Sequence, residues 1–174
     1  LLWNGGIGTY VKGSSETHAK VGDKANDAVR LNGAQVRARV AGEGGNLGWT
    51  QAGRIEFAAH GGRVNTDFID NSAGVDTPDH EGNRKILPAP DVRAGRRAAE
   101  ARNELLASMT DDVAQLVLTH NVDQNLALST EAAQESTMAS AQEEWMRALE
   151  ADGLLDRGLE SLPSREEMER RVGT

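Results

Sequence analysis

Three glycine-rich turns of the sequence each carry one asparagine, at residues 4–8, 42–48 and 71–75. Each turn directly follows an apolar run of the kind that forms a β-strand. In open α/β sheets, ligands bind beyond the carboxyl ends of the strands, and glycine there lets the backbone approach them closely. An asparagine amide both donates and accepts hydrogen bonds, as a carboxamide or a ribose hydroxyl requires. The pattern therefore favours a nucleotide-binding site, although glycine and asparagine also serve simply as tight-turn residues.

The usual dinucleotide fingerprint, GxGxxG, is absent from these turns. Residues 42–47 read Gly-Glu-Gly-Gly-Asn-Leu, so Leu47 stands where the fingerprint needs glycine, and residues 5–8 do not fit it either. If the chain holds part of a Rossmann-like domain, the half that binds the pyrophosphate is expected upstream of Leu1.

Metal and acid–base chemistry receive little support from spacing along the chain. The histidines stand at positions 18, 60, 80 and 120, too far apart for a short metal-binding motif. His80-Glu81 resembles the start of HExxH, but Arg84 occupies the last position, so no zinc site is predicted. The acids at 76, 79 and 81 are candidate acid–base groups, or simply carboxylates at the N-terminus of a helix.

The elements that would position the turns alternate between strand and helix. A strand is predicted to end at Trp3, and further strands are expected at residues 36–40 and 64–69. Helices are predicted around residues 21–29, from the Thr50 cap to about residue 60, and over residues 76–87. This rhythm is typical of an open α/β sheet.

Composition divides the chain near residues 88–90. Residues 1–90 hold 10 basic and 10 acidic side chains and 15 glycines, whereas residues 91–174 hold 9 basic and 17 acidic side chains and 4 glycines. The second region has helical periodicity, with apolar stripes at residues 106–117 and 138–149, a possible helix restart at Thr110 and a capping box at residues 164–167. We therefore predict an α/β, incomplete Rossmann-like nucleotide-binding lobe over residues 1–88, followed by an α-helical region over residues 89–174.

The same totals limit the possible partners. A net charge of −8 argues against nucleic acid, and no apolar run approaches the ~20 residues that cross a membrane. The chain contains no cysteine, which suits a reducing cytoplasm. It begins with Leu1 rather than with an initiator methionine, in what reads as the end of a buried strand. An internal fragment of a longer protein is the favoured interpretation.

Three segments together resemble the large-subunit bacterial NAD-specific glutamate dehydrogenases. They are residues 2–12 (LWNGGIGTYVK), residues 42–48 with Thr50-Gln51 (GEGGNLG…TQ), and residues 67–75 with Asp79-His80-Glu81. The similarity is strong to about residue 87 and looser through the helical tail. The second and third segments also resemble the asparagine–glycine turns of the small hexameric glutamate dehydrogenases.

The resemblance implies NAD as cofactor and L-glutamate or 2-oxoglutarate as substrate, in a cytoplasmic homo-oligomer. It places Asn46 at the nicotinamide ribose and Asn71 at the nicotinamide end of the cofactor. Gly44 and Gly45 would allow close backbone approach, and Asn4 and Gly5 would line the same pocket. The substrate would contact Val75 and position 78.

Two positions depart from the family pattern. Pro78 stands where the family usually offers a small hydroxyl residue for the distal carboxylate of the substrate, and Gly82 stands where a bulkier apolar residue is usual. Proline is acceptable in the first turn of a helix, where the predicted helix over residues 76–87 would place it. These departures affect the expected substrate contact and leave the cofactor contacts unchanged.

Two other functions remain open at this point. The first is a non-catalytic helical interaction module with a relic nucleotide-binding lobe, in which acidic amphipathic helices bind a partner. The second is another amino-acid dehydrogenase with the same turns.

The resemblance assigns the catalytic lysine and aspartate to segments upstream of Leu1, so no residue of this chain is expected to be catalytic. We predict that the isolated chain does not reduce NAD when glutamate is supplied. Absorbance of NADH measures this, with a complete glutamate dehydrogenase as the positive control. NADH formation by the isolated chain would refute the assignment.

Overall fold

The computed structural model describes residues 1–172, and side chains as far as residue 170; positions 173 and 174 of the predicted helical region lie outside the described part. The chain divides into two compact units, the first being Leu1–Gln124 and the second beginning at Asn125. The boundary predicted from composition, at residue 88, stays a prediction.

The described elements, in chain order, are β1 (Leu2–Asn4), β2 (Val11–Lys12), α1 (His18–Val21), β3 (Leu31–Asn32), β4 (Val40–Glu43), α2 (Gln51–Ala59), β5 (Arg63–Val64), α3 (Asp67–Asp70), α4 (Ala73–Ile86), α5 (Ala89–Arg93), α6 (Ala99–Ser108), α7 (Thr110–Ala151) and α8 (Arg165–Val172). Short 3₁₀ turns cover Lys24–Asn26 and Gly33–Gln35.

Strand β4 lies between β1 and β5 in a parallel sheet. Leu2 is opposite Ala41 on one side, and Val40 is opposite Arg63 on the other. Strands β2 and β3 form a second parallel pair, which a bridge between Val11 and Trp49 connects to the segment after β4. Because parallel strands end at the same edge, the turns after β1 and β4 are neighbours. The predicted mixed α/β class is confirmed.

The core of the first unit forms where β2, β4 and the segment after β4 pack against α2. Val11, Ala41, Trp49 and Phe57 are buried, and the rings of Trp49 and Phe57 lie 5.1 Å apart between centroids. The predicted helix after Thr50 is confirmed: the Thr50 hydroxyl accepts the backbone N–H of residue 53 at 3.0 Å. Helix α2 thereby begins directly beyond the second glycine turn.

The predicted strand over residues 36–40 is wrong in its position. Val36 ends the 3₁₀ turn Gly33–Gln35, which a capping box with Asn32 stabilises. Pairing begins at Val40 and continues through Glu43, so the strand runs into the glycine-rich segment. The apolar alternation indicated a strand but did not show where it acquires a neighbour, which tertiary packing decides.

The predicted strand over residues 64–69 is also wrong beyond Val64. Thr66 is extended and precedes the short helix Asp67–Asp70. Acidic residues are favoured in a first helical turn because the helix dipole is positive there. The third asparagine turn therefore follows a helix, α3, and not a strand, with Asn71 as the residue that ends it.

Two helix boundaries also differ from expectation. The helix predicted over residues 21–29 is wrong, because α1 ends at Val21, where Gly22 turns left-handed with φ +80°. Helix α4 begins at Ala73, earlier than the predicted residue 76. Pro78 therefore lies inside α4 and not in its first turn, where its missing N–H would have been harmless.

The helical tail follows the predicted periodicity in part. The predicted restart is confirmed, because α6 ends at Ser108 and α7 begins at Thr110. Ser164 accepts the backbone N–H of Glu167 at 3.3 Å, which is one half of the predicted capping box. Trp145, on the predicted apolar stripe of residues 138–149, is 69 % exposed, so helical spacing alone does not indicate burial there.

The second unit is held by a buried arginine. Arg157 forms ion pairs with Glu143 at 2.8 Å and with Glu150 at 3.0 Å, and it donates to the carbonyl of Pro163 at 3.2 Å. The Arg157 hydrogen bond lowers the pKa of Glu143 below its usual value. These ion pairs and the hydrogen bond fix the loop after α7 to that helix.

Glu56 of α2 joins two loops that flank the second sheet. Its carboxylate accepts the backbone N–H of Ser14 at 2.6 Å and of Ala34 at 2.8 Å. These hydrogen bonds lower the pKa of Glu56 below its ordinary value of 4.5. A depressed folded-state pKa stabilises the fold above the unfolded-state pKa, and this contribution is lost as pH falls through the folded-state value.

We predict that Glu56→Gln lowers the free energy of unfolding near neutral pH, and that the difference from wild type shrinks as pH falls below about 4.5. Urea denaturation followed by circular dichroism measures both effects. The control is Glu104→Gln, at an exposed position of α6, which should follow wild type at every pH. A constant difference across the pH series would contradict the assigned role.

Candidate functional site

The turns after β1 and β4 pack directly against each other. The backbone N–H groups of Gly44 and Gly45 donate to the carbonyl of Asn4 at 2.8 and 3.3 Å. A Cβ on Gly45 would lie 2.7 Å from the carbonyl oxygen of Gly6. Glycine at position 45 is therefore required by the neighbouring turn itself.

Trp3 covers the start of the second turn. A Cβ on Gly42 would lie 2.8 Å from the indole ring, and one on Gly44 would lie 2.5 Å from it. A Cβ on Gly5 would lie 3.5 Å from the Nε1 of this indole. The close approach expected at Gly44 and Gly45 is thus made in this structure by Trp3 and the first turn.

A buried carboxylate lies beneath the second turn. Glu43 is 0 % exposed, and it accepts the backbone N–H of Trp49 at 3.0 Å and the Nε–H of Arg54 at 2.7 Å. Burial raises the pKa of Glu43, while the bonds from Arg54 and Trp49 oppose that rise. Glu43 stands at the start of the turn and Trp49 at its end. Through the Glu43 carboxylate, both ends are therefore fixed to Arg54 of α2.

Two carboxylates of α3 hold the other side of the turn. Asp67 forms an ion pair with Arg54 at 3.2 Å and accepts the backbone N–H of Leu47 at 2.7 Å. Asp70 accepts the backbone N–H of Glu43 at 2.9 Å. Through these bonds the turn and α3 form one charged network.

Leu47 adopts a left-handed conformation at the tip of the turn, with φ +59°. Its side chain is 69 % exposed, and its carbonyl accepts the Thr9 hydroxyl at 2.7 Å. A left-handed residue other than glycine costs roughly 1–2 kcal/mol. The bonds on both sides of Leu47 hold the chain in this conformation.

The network places two of the predicted asparagines together. The Nδ2 of Asn71 donates to the Oδ1 of Asn46 at 2.6 Å. Both line an open pocket of about 840 Å³, together with Val75 from the start of α4. Its remaining lining residues are Leu47, Asp67, Phe68, Ser72, Asp76, Asp79, His120 and Gln124.

The other predicted residues lie elsewhere. Asn4 and Gly5 belong to the packed first turn, and Gly44 and Gly45 lie beneath it; Pro78 is inside α4. Among the described residues, no hydrogen-bond partner is present for the buried Nδ2 of Asn4. None of these five residues lines the described pocket.

Helix α7 supplies pocket residues that the sequence did not indicate. His120 and Gln124 lie more than 40 positions along the chain from Asp76 and reach the pocket only through folding. The rings of His80 and His120, which stand 40 positions apart in the sequence, lie 5.5 Å apart in the structure. Only the Asp76–His80 spacing, one helical turn, was available as a sequence signal.

A small parallel sheet with helices around it, and an open pocket lined by the amides of Asn46 and Asn71, define a protein of the mixed α/β class. Residues 1–131 match the family model described as bacterial NAD-glutamate dehydrogenase, catalytic domain. The chain belongs to this family of bacterial NAD-glutamate dehydrogenases.

Three curated relatives, each named NAD-specific glutamate dehydrogenase, are similar over nearly the whole chain. The protein of Pseudomonas aeruginosa is 56 % identical over 172 residues, covering 99 % of this chain and 11 % of the relative. Those of Mycobacterium tuberculosis and Halomonas elongata are each 54 % identical, covering 98 % and 97 % of this chain and 10 % of each relative. The chain thus spans about a tenth of the length of these relatives.

The comparisons confirm the predicted family, and they do not favour the non-catalytic interaction module.

Among the described helices, none combines the length and apolarity needed to cross a membrane.

The second turn offers a sharp test of its packing. A Cβ on Gly48 would overlap the amide of Asn4 and lie 2.9 Å from the Glu43 carboxylate. We predict that Gly48→Ala lowers the free energy of unfolding by about 1–3 kcal/mol, as overpacking does. Chemical denaturation measures this loss.

The matched control is Gly82→Ala in α4, where a Cβ meets no atom within 4 Å. Alanine there should stabilise the fold by up to ~1 kcal/mol, because glycine disfavours helix. Equal effects of the two substitutions would contradict the packing described here.

Proposed function

We propose that this segment binds NAD at the pocket beside Asn46 and Asn71, and that the whole protein is an NAD-dependent glutamate dehydrogenase. The observation that carries the proposal is the 2.6 Å bond between these two amides at the pocket wall. Family membership supports the cofactor and the substrate, because the curated relatives are named NAD-specific glutamate dehydrogenases.

The residues present fit the nicotinamide end of such a cofactor. The mutual bond uses the oxygen of Asn46 and the nitrogen of Asn71. The nitrogen of Asn46 and the oxygen of Asn71 take no part in that bond, so they are the donor and the acceptor that remain for a ligand. Asn46 would contact the ribose and Asn71 the carboxamide, while Asp67 and the ion pair beneath hold the turn in place.

Bound NAD supplies the hydride acceptor for oxidative deamination of L-glutamate to 2-oxoglutarate and ammonia. The role of this chain is to bind and orient. Val75, at the pocket wall, would contact the aliphatic part of the substrate. Position 78 would approach its distal carboxylate, and Pro78 offers no hydroxyl for that contact.

Four of the predicted cofactor residues would act indirectly, by fixing where the backbone of the second turn lies. They are Asn4, Gly5, Gly44 and Gly45. Asn4 holds Gly44 and Gly45 by hydrogen bonds, and Trp3 packs on Gly5 and Gly44. We therefore assign these residues to shaping the cofactor turn rather than to lining the pocket.

The proposal extends to the architecture and setting of the whole protein. Parallel order in the sheet β1–β4–β5 supports a Rossmann-like lobe to which further strands would be added. The lack of cysteine is compatible with a cytoplasmic protein. Assembly as a homo-oligomer rests on the resemblance to other glutamate dehydrogenases alone.

A chimera tests the function directly. The matching segment of the Pseudomonas aeruginosa relative is replaced by this sequence, and NADH formation is measured with glutamate and with other amino acids. We expect activity with glutamate, and expect Pro78→Ser to lower the KM for glutamate by restoring a hydroxyl. The proposal is overturned if the folded chimera is inactive both with proline and with serine at position 78. It is also overturned if the chimera oxidises another amino acid faster than glutamate.

In the same chimera, we predict that Asn46→Ala and Asn71→Ala each raise the KM for NAD about fivefold, since one hydrogen bond contributes roughly 1 kcal/mol. The control is Asn83→Ala, at an exposed position of α4 outside the pocket, which should leave the KM unchanged. Unchanged KM values for both pocket variants would exclude cofactor contact there.

A further inference from the structure

Three potential metal ligands converge within the first unit. Asp76 and His80 lie one turn apart on α4, and His120 approaches them from α7. The Nδ1 of His120 is 2.8 Å from one carboxylate oxygen of Asp76, and the Nε2 of His80 is 3.3 Å from the other. One ligand atom from each residue lies within 4.8 Å of the other two.

The cluster contains a buried polar atom that the protein does not satisfy. The Nε2 of His80 is buried and, among the described residues, makes no hydrogen bond. A buried imidazole nitrogen without a partner costs free energy, so its position calls for an explanation. Its nearest charged neighbour is the Asp76 carboxylate, and a cation between the two side chains would satisfy both.

The two helices are held in place by bonds that do not involve the cluster. Asn121, next to His120, donates its amide to the carbonyl of Ile69 at 2.8 Å and to the hydroxyl of Ser72 at 2.9 Å. These bonds hold α7 against the start of α4. The helices that carry the three ligands are therefore held together before an ion binds. This lowers the entropy cost of ion binding.

The donor set identifies the class of ion. Two imidazoles and one carboxylate are ligands of Zn²⁺ and similar transition-metal ions, whereas Ca²⁺ and Mg²⁺ prefer oxygen alone. With bonds of about 2.0–2.1 Å, tetrahedral ligands lie roughly 3.3 Å apart. The 3.3 Å separation of the Nε2 of His80 from Asp76 matches this value. The Nδ1 of His120, at 2.8 Å from the other oxygen of Asp76, is at hydrogen-bond distance, and an ion would replace that bond.

We propose that Asp76, His80 and His120 form a binding site for a zinc-class divalent ion that joins α4 to α7. Asp76 and His120 also line the open pocket, so the ion would lie at its wall. Three protein ligands leave one coordination position for water or another ligand. The site shares a wall with the pocket proposed for NAD, but ion binding itself requires neither NAD nor glutamate, so it is tested independently of dehydrogenase activity.

The test uses the purified chain after removal of metals with a chelator. Co²⁺ is titrated and its visible absorption is recorded, because tetrahedral cobalt bound through nitrogen absorbs strongly there; Zn²⁺ is then added in competition. We expect one equivalent of Co²⁺ to bind and Zn²⁺ to displace it. His80→Asn and His120→Asn should each weaken binding by at least about tenfold.

The control is His60→Asn, at an exposed histidine beyond the end of α2, which should bind cobalt as wild type does. Circular dichroism verifies that each variant is folded, and Asp76→Asn provides a third variant of nearly unchanged shape. Absence of saturable binding to the folded wild-type chain overturns the proposal. So does unchanged binding in both folded single variants, His80→Asn and His120→Asn, or an equal loss in His60→Asn.

Discussion

The buried pair of Glu43 and Arg54 is the constraint on which the first unit depends. A carboxylate removed from water is stable only with a counter-charge and hydrogen bonds, and this one has both. Removal of one partner from such a pair typically costs about 3–5 kcal/mol. The positions of β4, the second turn and α2 are therefore linked, because each contributes a group to the same buried charge.

From that pair the network extends to the pocket. Arg54 also contacts Asp67, which begins α3 and binds the turn at Leu47. Asn46 precedes Leu47, and Asn71 ends α3, so the same carboxylate determines the positions of both amides. The polar groups of the candidate site are thus oriented by buried electrostatics, while the glycines around them accommodate Trp3 and the neighbouring turn.

Local sequence signals predicted the parts of this fold that local physics decides. Thr50 as a cap and the restart at Thr110 are properties of a few adjacent residues, and both were predicted correctly. The family resemblance likewise depended on short motifs in the first half. The strand over residues 64–69 was wrong because Asp67 and Asp70 find partners in the second turn, which no window of sequence contains.

The pocket shows the same limit. Asn46, Asn71 and Val75 were predicted and are brought together, but His120 and Gln124 come from a helix that sequence spacing could not connect to them. Pro78 was assigned to a first turn because the start of α4 was placed three residues too late. Long-range contacts and exact helix starts are properties of tertiary packing, and a pattern of apolar residues carries little information about either.

The three tryptophans occupy three different environments, so the intrinsic tryptophan fluorescence of the chain can report which part of it unfolds. Trp49 is 2 % exposed, in the core, whereas Trp3 on the glycine turns and Trp145 in the second unit are 60 % and 69 % exposed. Indole emission shifts to longer wavelength when the ring enters water. The blue component of the emission should therefore belong to Trp49, and its loss would report the opening of the core beside Glu43 while the signal of Trp145 stays nearly constant.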